Sequence, residues 1–140
     1  MFDHLREDLK RYGGPREQWR GLLWAPGAWA VVSYRFRRWV HLCRAPQPLR
    51  FLLNAAAAVS QLWIDIAAKI QIPATASIGP GLLIAHTGTI VLAHDAVLGR
   101  HCTLTHGVTL GHAGGSGRGG SPVLGDRAHG GAVAHRLLAD

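Results

Sequence analysis

The chain has 140 residues, 48% of them hydrophobic and 16% charged, the proportions of a small folded protein rather than a disordered one. Its length suits one domain, the opening Met-Phe-Asp-His-Leu-Arg-Glu-Asp is not a signal peptide, and no run of about twenty uncharged apolar residues with polar flanks predicts a membrane span. The formal charge of +7 is uneven: residues 1–71 carry eleven of the fifteen Lys and Arg and five of the eight acids, an excess of +6 against +1 in the remainder, so the second half is no basic groove for nucleic acid.

From the start, Phe2, Leu5, Leu9 and Tyr12 recur at helical steps until Gly13-Gly14-Pro15 stops them, which predicts a short amphipathic helix. A second short helix is expected around Trp19, Leu22 and Leu23, before the break at Ala25-Pro26-Gly27. From Ala28 to Arg44 the set Trp29, Val32, Phe36, Trp39 and Cys43 makes a third apolar stripe, ended by Ala45-Pro46-Gln47-Pro48. Its arginines Arg35, Arg37, Arg38 and Arg44 are expected on a solvated face, contact with phosphate or an anionic membrane being the alternative. Leu49 to Lys69 is the longest helix, with Leu52, Leu53, Ala56, Val59, Trp63, Ile66 and Ile70 on one side; Asn54, Ser60, Gln61 and Asp65 give it the polar face of a helix packed on protein. Peripheral membrane contact through this region is the less favoured reading. Residues 1–71 are thus a helical N-terminal region.

From Ile72 the chain counts in sixes. Aliphatic anchors fall at Ile72, Ile78, Ile84, Leu92, Leu98, Leu104 and Leu110, a small or aliphatic residue holds each fifth place, and a single slip at Ile90-Val91 interrupts the step. Units of this kind cannot bury their apolar side alone, so they stack as coils of a parallel β-helix. The glycine-rich stretch 112–121 is a loop, the unit at Leu124 resumes the repeat, and the step is lost six residues later at Gly130, so the β-helix is placed at 72–127 and residues 128–140 form an irregular tail. The fold class is α+β. Cys43 and Cys102 fit a reducing cytoplasm, and Cys102 stands at a fifth place where packing accounts for it.

Nine histidines are many for this length, and His86, His94, His106 and His112 all occupy third places of their units. With three units to a coil, Ile84 lies under Leu104, so His86 and His106 stack about 4.8 Å apart at the backbone, at an exposed corner. By the same count His94 lies under His112. Imidazole titrates near neutrality and can take a proton from a hydroxyl.

The stretch Ile78-Gly-Pro-Gly-Leu-Leu-Ile-Ala-His86-Thr-Gly-Thr-Ile-Val, with Leu104-Thr-His-Gly-Val-Thr-Leu-Gly111 after it, resembles the central motif of the serine acetyltransferases, members of the hexapeptide-repeat acyltransferases. The similarity covers roughly residues 28–127 and includes the helical segment from Pro26 to Trp39. It implies a left-handed β-helix, acetyl-CoA as donor, no metal, a homotrimer or dimer of trimers with sites between neighbouring β-helices, and His86 as general base. Two places depart from the family. Fifteen residues before the histidine, where the family has an aspartate that orients the imidazole, stands Gln71, and where it has an Arg-His pair that helps bind serine stand Gly120-Ser121. A Gln carbonyl accepts the ring N–H without a negative charge, a loss on the order of 10² to 10⁴ in rate if nothing replaces it. His106 is the residue expected to compensate. Gly111, Gly114 and Gly115 are the expected CoA contacts, since bare backbone admits the pantetheine arm.

The expectation is therefore an O-acetyltransferase acting on a small hydroxyl acceptor, L-serine for cysteine biosynthesis, with a sugar or surface-polysaccharide acceptor as the alternative. A metal-dependent anhydrase on the same fold would need three imidazoles around one ion; His101 and His106 offer two, but position 65 holds an aspartate in a helix. A third reading is a truncated or frame-shifted, inactive β-helix, since the tail after Arg127 is out of step.

Overall fold

A computed structural model describes residues 2–13, 25–86, 88–111 and 122–130. The expected helix around Trp19, the glycine-rich loop 112–121 and residues 131–140 lie outside the described residues. Among the described residues three helices come first: α1 (Phe2–Lys10), α2 (Pro26–Leu42) and α3 (Gln47–Ala68). Prolines stand in the first turns of α2 and α3, where a missing N–H costs no helical hydrogen bond, and α3 ends at Lys69 in the left-handed conformation.

Nine short strands follow among the described residues, β1 (Ile70–Gln71), β2 (Ser77–Ile78), β3 (Leu83–Ile84), β4 (Ile90–Leu92), β5 (Val97–Leu98), β6 (Thr103–Leu104), β7 (Thr109–Leu110), β8 (Val123–Leu124) and β9 (His129–Gly130). Every third strand pairs, all in parallel, giving sheets β1-β4-β7, β2-β5-β8 and β3-β6-β9, the three walls of a triangular parallel β-helix. The anchors turn inward, as do the fifth places Ala76, Leu82, Ala96, Cys102 and Val108, while the residue between each pair faces outward in most strands. This in-out-in pattern is what strand geometry requires of a six-residue unit with two inward positions.

The register explains the slip. Ile78 pairs with Leu98, a step of 20, but Leu92 pairs with Leu110, a step of 18, so two extra residues enlarge the connection between β3 and β4. Ile90 then fills an inward place and is fully buried. At the far end, strand pairing outlasts the anchors: β9 pairs with β6 at Leu104 and Gly130, and Thr105 N–H donates to the Gly130 carbonyl at 3.0 Å. The ladder needs only backbone, so a glycine keeps a step that a search for aliphatic anchors loses.

Three of the four arginines are not on a solvated face. The first coil has no coil before it, and its free strand edges need partners. Arg35 donates to the Ile78 and Gly79 carbonyls at 2.8 and 2.6 Å, Arg37 to Ile72 at 2.8 Å, Arg38 to Ala74 and Thr75 at 3.0 and 2.9 Å, and Tyr34 OH to Ala76 at 2.7 Å. Arg44 alone of the four is exposed. From α1, buried Asp8 accepts from the Gly81 and Leu82 N–H groups, both at 2.7 Å, and from Arg35 Nε at 2.7 Å. α1 and α2 are therefore the cap of the β-helix.

The stripe of α3 also departs from expectation. Leu52, Val59, Trp63 and Ile66 are exposed, and α3 rests on its neighbours through Ala57, Ile64 and Ala68 instead. Small residues let the helix approach closely, leaving the bulky ones outward. By length and composition α3 could cross a membrane, with a mean hydropathy of 1.4 over its most apolar eighteen residues, although two charged residues, Arg50 and Asp65, lie within the helix.

Candidate active site

The enlarged connection between β3 and β4 stands at the corner between sheets β3-β6-β9 and β1-β4-β7, and it carries His86. One coil on, His106 holds the same place two residues after Leu104, the partner of Ile84. The rings meet edge to face, with centroids 6.1 Å apart and planes inclined by 69°. Both side chains are exposed.

Residues without chemistry of their own set this corner. Gly88 has a φ of 151°, and a Cβ there would fall 2.7 Å from the His106 Cβ, so only glycine lets the longer turn lie against His106. Behind the turn, the Ile84 N–H donates to Tyr12 OH at 2.7 Å. The first turn of α2 closes on the same residue: a Cβ on Gly27 would stand 2.5 Å from the Ile84 carbonyl oxygen. Burial pushes the Tyr12 phenol well above its usual range, so its proton stays on. Sequence reasoning missed Gly88, Gly27 and Tyr12; the two-residue slip beside His86 was the signal available for the first.

Other expected residues lie elsewhere. Gln71 is exposed on β1 opposite Val91, and among the described residues no hydrogen bond joins it to His86. It lines a cavity of about 460 Å³ together with Arg37, Gln61, Asp65 and His94. Within that cavity Gln61 Nε2 donates to Asp65, and burial lowers the pKa of the Arg37 guanidinium. His94 stands at a different corner, its carbonyl accepting from Thr75 Oγ1 at 2.7 Å, and its expected partner His112 is outside the described residues. Gly111 is exposed directly after β7; Gly114 and Gly115 lie outside the described residues. His101, with a φ of 56°, sits between β5 and β6, one corner away from His106, so these two do not share an ion. Among the described residues no cluster of three His, Cys, Asp or Glu could hold a metal.

The corner therefore offers two adjacent imidazoles, open to a ligand on one side and braced on the other. A neutral imidazole there can accept a proton from a hydroxyl.

No protein-family model matches the chain. It is similar to the serine acetyltransferase of Helicobacter pylori strain 26695, 37% identical over 135 residues that make up 96% of this chain and 74% of that enzyme. It is also similar to the serine acetyltransferase of Mycobacterium tuberculosis, 35% identical over 102 residues, covering 73% of this chain and 41% of that one. Among solved structures, serine acetyltransferase of Neisseria gonorrhoeae in complex with serine superposes with a TM-score of 0.67 at 27% identity. The match takes in 89% of this chain and 50% of that one, so the chain spans about half its length. The shared architecture is the left-handed β-helix behind a helical N-terminal region.

Proposed function

Since the chain belongs to the serine acetyltransferase family, we propose that it transfers the acetyl group of acetyl-CoA to the hydroxyl of a small acceptor, L-serine first, with His86 as general base. The observation that carries this is the edge-to-face pair of His86 and His106 at one exposed corner. His86 takes the hydroxyl proton as the oxygen attacks the thioester carbonyl carbon; the tetrahedral adduct collapses, the C–S bond breaks, and the imidazolium returns its proton to the departing CoA thiolate. Atoms and charge balance without an acyl-enzyme or a metal.

In this scheme His106 fixes the ring of its neighbour, the task an aspartate performs in the family. Gln71 would serve only if its amide swung towards His86, since in its present place it borders the cavity with Asp65. Gly111, Gly114 and Gly115 are the proposed backbone surface for the pantetheine arm. The assembly proposed is a homotrimer, or a dimer of trimers, of a cytoplasmic enzyme, with each site shared between neighbouring β-helices. A sugar acceptor is the second reading, favoured by Gly120-Ser121 in place of the Arg-His pair that contacts serine in the family.

Thiol release from acetyl-CoA, followed with serine, homoserine and a panel of sugars, tests both. Serine should support turnover, and His86→Ala should reduce kcat by about 10² to 10⁴. Full activity in His86→Ala would remove the base from this scheme, and release with a sugar but neither amino acid would transfer the assignment to the second acceptor. His106→Asn should lower kcat by roughly tenfold with KM for acetyl-CoA unchanged, as expected of a positioning residue.

A further inference from the structure

On α3, at 3.6 residues per turn, the positions on one half of the circumference are all apolar, and the polar residues Gln47, Arg50, Asn54, Ser60, Gln61 and Asp65 all fall on the other half. The apolar half is the one turned to solvent. Phe51, Leu52, Val59, Leu62, Trp63 and Ile66 lie on it, each between 59% and 74% exposed. An ordinary surface helix does the reverse, and a continuous exposed patch of this kind marks an interaction surface.

Charge narrows the choice of occupant. Between residues 25 and 69 stand six Lys and Arg and one acid. Arg35, Arg37 and Arg38 are spent on the backbone of the first coil, and the acid, Asp65, accepts from Gln61. Of the three that remain, Arg50 is exposed on the polar half, and Arg44 and Lys69 are exposed at the two ends of α3. Anionic headgroups meet them with the opposite sign, while the apolar half-cylinder enters the acyl boundary and Trp63 suits the interface between the two. The inner half of α3 is packed through Ala57, Ile64 and Ala68, so the helix has one face to offer: it can lie in the surface of a bilayer but not span it.

We propose that α3 is an interfacial anchor that seats this protein on an anionic membrane surface. The anchor leaves the corner of His86 and His106, which belongs to the β-helix, free to work. Flotation of the full chain with vesicles of phosphatidylcholine alone, and of equal parts phosphatidylcholine and phosphatidylglycerol, tests it. The protein should float with the anionic vesicles and only weakly with the neutral ones. Phe51→Glu with Leu62→Glu, both at exposed positions, should keep the far-ultraviolet circular dichroism and stay at the bottom of the gradient. Replacing Arg44 and Lys69 by Gln together should weaken partitioning on the order of thirtyfold, and added salt should act in the same direction. Equal flotation on both vesicle types would overturn the role of charge. Failure to float at all would overturn the anchor, and so would failure joined to a self-association that Phe51→Glu with Leu62→Glu abolishes, because the face would then join copies of this chain.

Discussion

Gly88 shows how a residue with no side chain can govern one that has chemistry. A methyl group there meets the His106 Cβ at 2.7 Å and must also be held at a φ of 151°, so Gly88→Ala forces the turn away from His106 and moves His86 with it. The expected outcome is a fall in kcat on the order of a hundredfold, the cost of misplacing a catalytic group by about an ångström, with a loss of stability of about 1–3 kcal/mol. Measuring kcat and thermal midpoint on the same preparation separates the two, since a kcat that falls only with the folded fraction would assign Gly88 to stability alone. Asp8 is the opposite case, a buried charge with every oxygen engaged by Arg35, Gly81 and Leu82. Asp8→Ala leaves the Arg35 guanidinium buried without its carboxylate and should cost about 3–5 kcal/mol in denaturant melts. Tyr12 and Tyr34 give the pH dependence. Burial raises both phenols above the unfolded value of about 10. Above that pH the unfolded chain sheds protons that the folded one retains, so their contribution is intact at neutrality and is lost as pH rises beyond 10. Tyr12→Phe should flatten that alkaline decline in a series of thermal melts.

At the scale of elements the coils stack glycine on glycine. A Cβ on Gly79 would stand 2.6 Å from the Gly99 carbonyl oxygen, one on Gly99 would stand 2.7 Å from the backbone nitrogen of Asp126, and one on Gly125 would meet nothing within 4 Å. The same substitution should therefore have two outcomes: Gly99→Ala costs about 1–3 kcal/mol, while Gly125→Ala stays within about 0.5 kcal/mol. Equal effects in urea melts would mean that these turns are not in register. Much of this was legible in the sequence, because a six-residue period fixes which residues share a corner, and the pairing of His86 with His106 follows from Ile84 lying under Leu104. The helices were legible as stripes, but a stripe does not say what it meets. Arg35, Arg37 and Arg38 look like a solvated face until the free edge of a first coil is set against them, and that edge is a property of the assembled fold. The α3 stripe was misassigned because Ala57, Ile64 and Ala68, the residues that pack, weigh less in a hydrophobic count than the large ones that do not.

Taken whole, the molecule has one core rather than a helical domain beside a β-helical one. Ala30, Val31 and Tyr34 of α2 and Ile64 and Ala68 of α3 belong to the same buried cluster as Ile70, Ile84, Leu104 and Leu124. The change of secondary structure falls between Ala68 and Ile70, ahead of the boundary between residues 71 and 72 that the change of period suggests, and it is crossed by continuous packing and by the hydrogen bonds of the cap. Such coupling makes the two halves melt together, because uncovering the first coil strands its edge groups and losing the coils leaves α2 without a surface. Leu104→Ala tests this from the inside. Leu104 is fully buried at the middle of the coils, between Ile84 on one side and Gly130 on the other. Its truncation should cost about 2–5 kcal/mol. Circular dichroism at the helical minimum reports chiefly on the helices, and amide hydrogen exchange of β5 and β6 reports on the coils; both should lose stability by the same amount, although the mutation touches no helix. If the helices keep their original midpoint while the coils open early, α1, α2 and α3 fold on their own and the cap is only an attachment.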